Sequence, residues 1–445
     1  MLDLLILNGR MVNEGVIGET DLAIRDGRIE AMGGDLQHRP ARTTLDASGL
    51  LLLPGLIDDQ VHFREPGLTH KGDMASESRA AVAGGITSFM EMPNCQPPTT
   101  SHQALLEKHR LAASKSVANY AFYFGASNQN LAEILALDTR LACGIKVFMG
   151  ASTGDMLVDD PKTLEQIFAN SPLLIATHCE DTPTILANEA RFRQQHGEQI
   201  PIECHPLIRS EEACYRSSSL AVELAKRHGT RLHVLHLTTA RELALFSAGP
   251  LADKRITAEV CVHHLFFSDG DYRNKGTLIK CNPAIKQESD RLALLQAVRD
   301  DRIDIIATDH APHLLDEKAR PYAQAPSGLP LVQDALLVLL ELVQQGQLTL
   351  EQVVAKSSHR VAELFAIRDR GYLREGYHAD LVLVDPLTPT EVTRTKVLSK
   401  CGWSPFEGHR FTHSIHTTLV NGQILYRRGQ PVADITALPL QFRRD

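Results

Sequence analysis

The stretch SEEACYRSSSLAVELAKRHGTRLHVLH (residues 210–236) contains the alternation that decides the fold. Its first part, residues 210–229, has apolar residues at helical spacing and ends at a glycine, which predicts an amphipathic helix. Its last part, RLHVLH, is a short apolar run typical of a buried strand. Because this strand ends in a histidine, the unit also places a polar group at the strand's carboxyl end.

The same alternation runs through residues 55–308. Amphipathic stretches such as SESRAAVAGG (76–85) and HQALLEKHRLAASK (102–115) separate eight short apolar runs. Alternating helices and buried parallel strands predict a (β/α)8 TIM-like barrel, with a doubly wound open sheet as the alternative. The eight runs are GLIDDQVHF (55–63), ITSFMEM (86–92), NYAFYF (119–124), CGIKVFM (143–149), LLIATH (173–178), RLHVLH (231–236), ITAEVC (256–261) and IDIIAT (303–308).

The two ends of the chain have a different texture. Apolar runs meet Asn-Gly or Asp-Gly at 8–9, 26–27 and 421–422, which are strong hairpin signals. HADLVLVDP (378–386) is typical of a strand. We therefore expect residues 1–52 and 370–445 to form one small β-sandwich domain, and residues 53–369 to form the barrel.

The composition excludes several classes of protein. Hydrophobic residues make up 43% of the 445 residues, which is typical of a globular enzyme. The formal charge of -8 argues against nucleic acid as a partner. Eight scattered cysteines without a CxxC pair predict free thiols in a reducing cytoplasm. The first residues lack the pattern of a signal peptide, and the apolar stretch near 331–343 is too short and too polar to span a membrane. A small-molecule substrate is the remaining expectation.

Polar side chains stand at the carboxyl ends of five predicted strands, where barrel enzymes build their sites. One such histidine is more often a hydrogen-bonded core residue than a ligand, and a lone aspartate is often a helix cap. Imidazoles and a carboxylate that converge from five strands are instead typical of a zinc site. The residues are Gln60, His62, Arg64, Lys146, His178, His233, His236, Asp309, His310 and His313.

Lys146 stands inside an apolar run, CGIKVFM. Burial and a neighbouring metal ion would both favour its neutral amine. A neutral amine can react with carbon dioxide to form a carbamate, an anionic ligand able to bridge two metal ions. The alternative is a lysine paired with a buried carboxylate.

These residues lie in motifs that resemble the amidohydrolase superfamily and, within it, the dihydroorotase group, whose relatives are allantoinases and hydantoinases. The likeness runs from residue 55 to residue 409 and implies a hydrolase acting on a cyclic amide. The motifs are GLIDDQVHFREPGLTHKGD (55–73), MEMPNC (90–95), GIKVFMGASTGDMLV (144–158), ATHCED (176–181), HVLHLTTA (233–240), AEVCVHHLF (258–266), IKCNPAIK (279–286), IATDHAPH (306–313) and SPFEGH (404–409).

The resemblance also implies a role for each matching residue. Substrate contacts are implied at Arg64, Asn94, Asn282 and His313, with Arg64, Asn94 and His313 meeting a carboxylate. One or two Zn2+ ions are implied, with Lys146 carrying a carbamate. The implied metal ligands are His62, Lys146, His178, His236 and Asp309.

The implied reaction is the reversible hydrolysis of (S)-dihydroorotate to N-carbamoyl-L-aspartate, a step of de novo pyrimidine biosynthesis. Metal-bound hydroxide would attack the ring carbonyl. Asp309 would act as general base and then as general acid. The family also implies a homo-oligomer, with a dimer as the expectation.

One position departs from the family pattern of His-x-His after the first strand. Gln60 replaces the first histidine, and an amide oxygen is a weaker zinc ligand than imidazole. Three alternatives follow: an active enzyme with one weakened metal position, an allantoinase- or hydantoinase-like enzyme, or a non-catalytic subunit that supports an aspartate transcarbamoylase. Arg64 and His313 favour a substrate with a carboxylate, and hence the first alternative.

Overall fold

A computed structural model describes residues 1–150, 156–432 and 437–444 of the chain. Its centre is a barrel of eight parallel strands, and each of the eight runs expected from the sequence forms one of them. The (β/α)8 prediction is therefore confirmed. Residues 151–155, in the middle of the motif that contains Lys146, lie outside the described residues. The strands are β1 (Leu56–Val61), β2 (Ile86–Glu91), β3 (Asn119–Phe122, continued by Phe124–Gly125), β4 (Ile145–Phe148), β5 (Ile175–His178), β6 (Leu232–Val234), β7 (Ile256–Cys261) and β8 (Ile305–Ala307).

The barrel closes where β8 meets β1. There the His62 N–H donates to the His310 carbonyl over 2.7 Å, next to a parallel bridge between Val61 and His310. On the opposite side, β3 joins β2 through its first half and β4 through its second half. Parallel strands direct all their carboxyl ends to one rim, so the polar residues that follow them collect at that rim.

Helices connect the strands and cover the barrel. The helix Glu211–His228 has the limits that its sequence predicts: Ser210 accepts from the Ala213 N–H over 3.3 Å, and Gly229 ends the helix at φ 66°, which glycine adopts most readily. The other α-helices are Met74–Ala83, His102–Lys115, Leu131–Leu135, Pro161–Asn170, Thr182–His196, His205–Ile208, Val262–Phe266, Tyr272–Lys275, Glu288–Arg299, Leu315–Lys318, Ala335–Gln344, Leu350–Val354 and Arg360–Leu364. Short 3-10 turns lie at Ile202–Cys204, Arg241–Leu245, Leu251–Asp253, Asp269–Asp271, Gly276–Ile279 and Arg394–Lys396, and a π turn at Ala355–His359.

Both ends of the chain contribute strands to one nine-stranded sheet. Leu51–Pro54 pairs antiparallel with Leu381–Asp385 and so joins the N-terminal strands to the C-terminal ones. The boundaries at residues 53 and 370 stay predictions. The strands of the sheet are Leu2–Asn13, Val16–Arg25, Arg28–Gly33, Ala41–Asp46, Leu51–Pro54, Leu381–Asp385, Ser414–Val420, Gln423–Arg427 and Gln430–Pro431; Thr390–Glu391 and Arg410–Phe411 form a separate pair.

One of the three predicted hairpin turns is wrong. The turns at 26–27 and 421–422 form, but residues 8–9 lie inside the strand Leu2–Asn13, where the pairing shifts between Ile6 and Gly9. Asn8 has the left-handed φ of 61° that Asn-Gly favours, yet a bulge uses that conformation as well as a turn does. The local sequence thus predicts the φ angle of Asn8, and strand pairing decides whether that angle forms a turn or a bulge.

The cysteines and the helices agree with what the composition predicts. All eight cysteines are free and buried, as the sequence predicts. Within the described residues, every helix is too short or too polar to cross a lipid bilayer.

Candidate active site

Two pairs of side chains lie at the rim of the barrel, and the two members of each pair face each other. His62, after β1, places Nε2 3.0 Å from Oδ1 of Asp309, after β8. His178, at the end of β5, places Nδ1 3.0 Å from Nε2 of His236, after β6. The side chains of His62 and Asp309 are 11% and 12% exposed, and the other pair is buried more deeply. The barrel thus brings together four of the predicted ligands from four different strands.

Lys146, on β4, is close to both pairs. Its side chain is buried, and its ammonium lies 4.7 Å from the centre of the Phe148 ring. Burial lowers the pKa of Lys146 to about 8, although the charges of Asp309 and Glu259 oppose the shift. An amine with this pKa is partly neutral near physiological pH, which is the form that carbamate formation requires.

The histidines of both pairs are held in the neutral form. Burial is the largest cause that lowers the pKa of His62, His178 and His236, and the charge of Lys146 lowers each of them further. Burial alone would raise the pKa of Asp309, but its contact with His62 and the charge of Lys146 bring it below its usual value. Neutral imidazoles and an ionised carboxylate are the states in which these side chains bind metal ions.

Two residues orient these histidines: Glu180, to which the sequence motifs give no role, and Asn94, an implied substrate contact. His178 Nε2–H donates to Glu180 over 3.0 Å, and His62 Nδ1–H donates to the amide oxygen of Asn94 over 2.7 Å. Burial raises the pKa of Glu180, but the charge of Arg209 and the hydrogen bond from His178 outweigh it and lower the pKa to about 2. An acceptor on one ring nitrogen directs the other nitrogen inward. For Glu180 the signal was its position two residues after His178 in ATHCED.

Gln60 presents its amide nitrogen to the site. Nε2 donates to Asp309 Oδ1 over 3.2 Å, while the amide oxygen lies 3.8 Å from the thiol sulfur of Cys261. An amide binds metal through its oxygen, so Gln60 in this orientation acts as a hydrogen-bond donor to Asp309. The weakened metal position expected from the sequence stays a prediction, and this orientation of the amide supports it.

The donor set fits a divalent metal ion. With the proton of His178 on Nε2, its Nδ1 lone pair faces Nε2 of His236 at 3.0 Å, and two nitrogens so placed can share an ion. Nδ1 of His236 is also buried without a hydrogen-bond partner in the described structure. Imidazole nitrogens and carboxylate oxygens suit zinc and similar ions.

A positively charged pocket surrounds His313. Its Nε2 lies 3.1 Å from the Ser327 carbonyl and 2.9 Å from Arg64 Nη2, and its Nδ1 lies 3.0 Å from Lys71 Nζ. Burial, followed by the charges of Arg64 and Lys71, lowers the pKa of His313 well below its usual value, so the ring is neutral. A neutral ring has one N–H, which the Ser327 carbonyl draws to Nε2.

The guanidinium of Arg64 can only donate hydrogen bonds. At His313 it therefore faces another donor, the Nε2–H group, instead of an acceptor. Its Nε donates to the Pro312 carbonyl over 3.1 Å, and the residue is 3% exposed. Lys71 is paired with Glu317 at 3.0 Å, whereas no carboxylate of the described residues forms an ion pair with Arg64. The site thus holds a buried guanidinium whose charge a bound carboxylate would balance.

Asn282 is the remaining predicted substrate contact. Its side-chain oxygen is buried and has no hydrogen-bond partner among the described residues. The neighbouring Cys281 responds to the charge of Asp309, which places this segment near the site. An unpartnered amide oxygen there can accept from an N–H of a bound molecule.

Three of the site residues have an unusual backbone. Arg64, His236 and Asp309 have φ of 69°, 42° and 52°, in the left-handed region that side chains disfavour. Each lies two or three residues after the end of a barrel strand. Such strain is typical of functional sites, because the surrounding structure must impose it.

The motif AEVCVHHLF contains a further cluster of possible metal ligands to which the sequence resemblance gives no role. Cys261, His263 and His264 are buried with their potential ligand atoms within 4.8 Å of one another. The two imidazole rings are 3.9 Å apart, and neither nitrogen of His263 has a hydrogen-bond partner in the described structure. This group adjoins Gln60 through Cys261.

Known proteins resemble the chain over nearly all of its length. A dihydroorotase of Halobacterium salinarum is 34% identical over 406 residues, covering 90% of this chain and 92% of the relative. An allantoinase of Bacillus velezensis is 30% identical, covering 96% of this chain and 94% of the relative. The solved L-hydantoinase (dihydropyrimidinase) of Arthrobacter aurescens superimposes with a TM-score of 0.94 at 27% identity, covering 99% of this chain and 100% of the other.

These relatives agree with the resemblance that the motifs implied. The model of the amidohydrolase family matches residues 51–425, which include the whole barrel and every residue of the site. With the barrel, the polar rim and this match in agreement, the chain belongs to the amidohydrolase family.

Proposed function

We propose that the protein is a dihydroorotase, a hydrolase that interconverts dihydroorotate and N-carbamoyl aspartate. The observation that carries this proposal is the buried Arg64 guanidinium, which faces His313 and has no carboxylate partner among the described residues. Dihydroorotate carries a carboxylate, whereas allantoin and simple hydantoins carry none. A planar guanidinium can grip a carboxylate with two parallel hydrogen bonds.

The substrate ring lies, in this proposal, between the carboxylate pocket and the two side-chain pairs. Arg64 and His313 hold the carboxylate, and the amide oxygen of Asn282 accepts from a ring N–H. Asn94 acts on the site through His62, to which it is hydrogen-bonded at 2.7 Å. Three contacts on different sides of the ring fix which carbonyl faces Asp309.

His62, Lys146, His178, His236 and Asp309 are the residues that would hold one or two zinc ions. When bound, a divalent ion activates water near neutral pH and polarises a carbonyl oxygen. Lys146 takes part as a carbamate, formed when its neutral amine adds to carbon dioxide with loss of a proton. Its lowered pKa of about 8 supports this step.

Asp309 moves the proton. As the ring carbonyl carbon gains a hydroxyl from water and its bond to the ring nitrogen breaks, Asp309 accepts a proton from the water and returns it to the leaving nitrogen. Its lowered pKa supports the ionised form that the first transfer needs. The hydrogen bond from Gln60, 3.2 Å long, holds the carboxylate in one orientation.

The test is turnover of the zinc-loaded full chain with dihydroorotate, N-carbamoyl aspartate, allantoin and hydantoin. We expect interconversion of the first two compounds and at least a hundredfold weaker activity on the others. Cleavage of allantoin or hydantoin without turnover of dihydroorotate would contradict the proposal. No turnover of any substrate by a folded, metal-loaded chain would favour the non-catalytic subunit. A cytoplasmic location and a dimeric assembly stay predictions.

A further inference from the structure

A second cluster of potential ligands lies inside the barrel, below the rim. Asp59 on β1, His233 on β6 and Glu259 on β7 are each 0% exposed. Their potential ligand atoms lie within 4.8 Å of one another. None of the three belongs to the ligand set proposed above, although Asp59 directly precedes Gln60 and His233 precedes His236 by three residues.

Four polar atoms of this cluster lack hydrogen bonds to other described residues. Both oxygens of Asp59, Oε2 of Glu259 and Nε2 of His233 are buried without a partner in the described structure. Burying such groups unpaired is costly, and buried polar atoms in folded proteins nearly always find a partner. These four atoms converge on one point from three strands. We therefore expect one bound group to interact with all of them.

The distances fit a shared ion better than direct hydrogen bonds. His233 Nε2 lies 3.4 Å from Asp59 Oδ2 and 3.6 Å from Glu259 Oε2. Hydrogen bonds between nitrogen and oxygen are usually about 2.7–3.2 Å long. Two ligands of one tetrahedral zinc ion, each about 2.1 Å from the metal, are about 3.4 Å apart.

The remaining contacts orient the ligands toward that point. The hydroxyl of Thr257 lies 2.8 Å from Nδ1 of His233, and Oε1 of Glu259 accepts from the His236 N–H over 3.0 Å. These contacts leave Nε2 of His233 and Oε2 of Glu259 directed at the cluster. The buried hydroxyl of Tyr123 also has no hydrogen-bond partner among the described residues, and the charges of Asp59 and Glu259 act on it.

The electrostatic balance of the cluster is consistent with a bound cation. Asp59 and Glu259 bring two carboxyl groups together in a fully buried place, where two negative charges would repel each other. Burial lowers the pKa of His233, but its contacts with Asp59 and Glu259 outweigh burial and raise the pKa to about 9, so a proton on this ring, which would offset one negative charge, is the competing occupant. A divalent ion would offset both and also satisfy all the unpartnered atoms.

We propose that Asp59, His233 and Glu259 bind a divalent transition-metal ion such as zinc, at a site separate from the one formed by Lys146, His178 and His236. The ion has two carboxylate ligands and one imidazole ligand. Glu259 connects it to the backbone of His236, so the ion braces the strand end that carries this histidine. The site stands whether or not the protein is a dihydroorotase.

The test locates the ion directly. Crystals of the zinc-loaded full chain are measured on both sides of the zinc absorption edge, and bound metal per chain is determined in solution. We expect an anomalous peak about 2.0–2.2 Å from Asp59, His233 Nε2 and Glu259. Zinc density only at the rim, with none at the cluster, overturns the proposal and leaves the proton on His233 as the occupant.

Matched variants separate this site from the rim. Asp59→Asn and Glu259→Gln keep the side-chain shape and should each remove about one zinc per chain and the peak at the cluster, while the peak at the rim stays. Asp334→Asn changes a buried carboxylate that is hydrogen-bonded to Ser404 elsewhere in the fold, and should leave the metal content unchanged. An unchanged metal content in both cluster variants would contradict the proposal. Absence of dihydroorotate turnover with the cluster peak present would refute the proposed function alone.

Discussion

Gln60 Nε2 donates a hydrogen bond of 3.2 Å to Oδ1 of Asp309. This bond places a donor where the family pattern has a metal-binding histidine, and it uses the same carboxylate oxygen that contacts His62 at 3.0 Å. The substitution of glutamine for histidine thus keeps Asp309 oriented while removing one nitrogen ligand from the rim.

Gln60→His should raise the metal bound per chain, because an imidazole nitrogen binds zinc more strongly than an amide does. The metal content after dialysis against a weak chelator is the measurement. Gln60→Leu is the control, since it removes the hydrogen bond to Asp309 without adding a ligand. Equal metal contents in the histidine variant and the wild type would show that the first position is not weakened.

Asp309→Asn should lower kcat for dihydroorotate by about 10²–10⁴-fold, the usual contribution of a general acid–base residue. Asparagine has the same shape and can donate an amide N–H to Nε2 of His62, so the fold should persist. Circular dichroism and the melting temperature check this. A variant that keeps more than a tenth of the wild-type kcat would remove Asp309 from the proton transfer.

Arg64→Lys should raise KM for dihydroorotate by about 10–100-fold with a smaller effect on kcat. The variant keeps the positive charge but loses the planar pair of donors, and a charged hydrogen bond contributes about 1.5–3 kcal/mol. Steady-state kinetics separate the two constants. An unchanged KM would place the substrate carboxylate elsewhere.

Glu180→Ala should weaken metal binding at the rim by about 10–100-fold, since Glu180 accepts from His178 and orients its ring. Competition with a chelator of known affinity measures the loss. Glu180→Gln retains an acceptor oxygen and should lose less. Equal losses in the two variants would point to the charge of Glu180, which also pairs with Arg209, as the important property.

Asp334→Asn should stabilise the protein at pH 7–8 but not at pH 3.5. Burial raises the pKa of Asp334 from 3.8 to about 6, so the folded protein binds this proton more tightly than the unfolded chain does. That contribution is fully present below pH 3.8 and is lost as the pH rises through 6. The expected gain is about 1–3 kcal/mol in the free energy of unfolding, measured by urea denaturation at both pH values. An equal gain in the free energy of unfolding at both pH values would show that the ionisation of Asp334 is not its cause.

Much of the fold followed from local patterns. Each barrel strand was visible as a short apolar run, because a parallel strand covered on both faces needs apolar side chains at nearly every position. Helix limits such as Ser210 and Gly229 were visible because capping depends on the residue types at the helix ends. The bulge at Asn8 was missed because turn and bulge share one backbone conformation, and pairing with a distant strand selects between them.

The sequence by itself determined which polar residues follow the barrel strands, and therefore that His62, Lys146, His178, His236 and Asp309 reach one rim. Only the tertiary structure decided how they meet: the facing nitrogens of His178 and His236, the amide nitrogen of Gln60 directed at Asp309, and the guanidinium of Arg64, which has no carboxylate partner among the described residues. The cluster of Asp59, His233 and Glu259 was equally hidden, because its members lie on three strands far apart in the chain. Strand periodicity is local and can be read along the sequence. Contacts between side chains depend on barrel closure and on the strained backbone at Arg64, His236 and Asp309, which only the packing of the whole domain can impose.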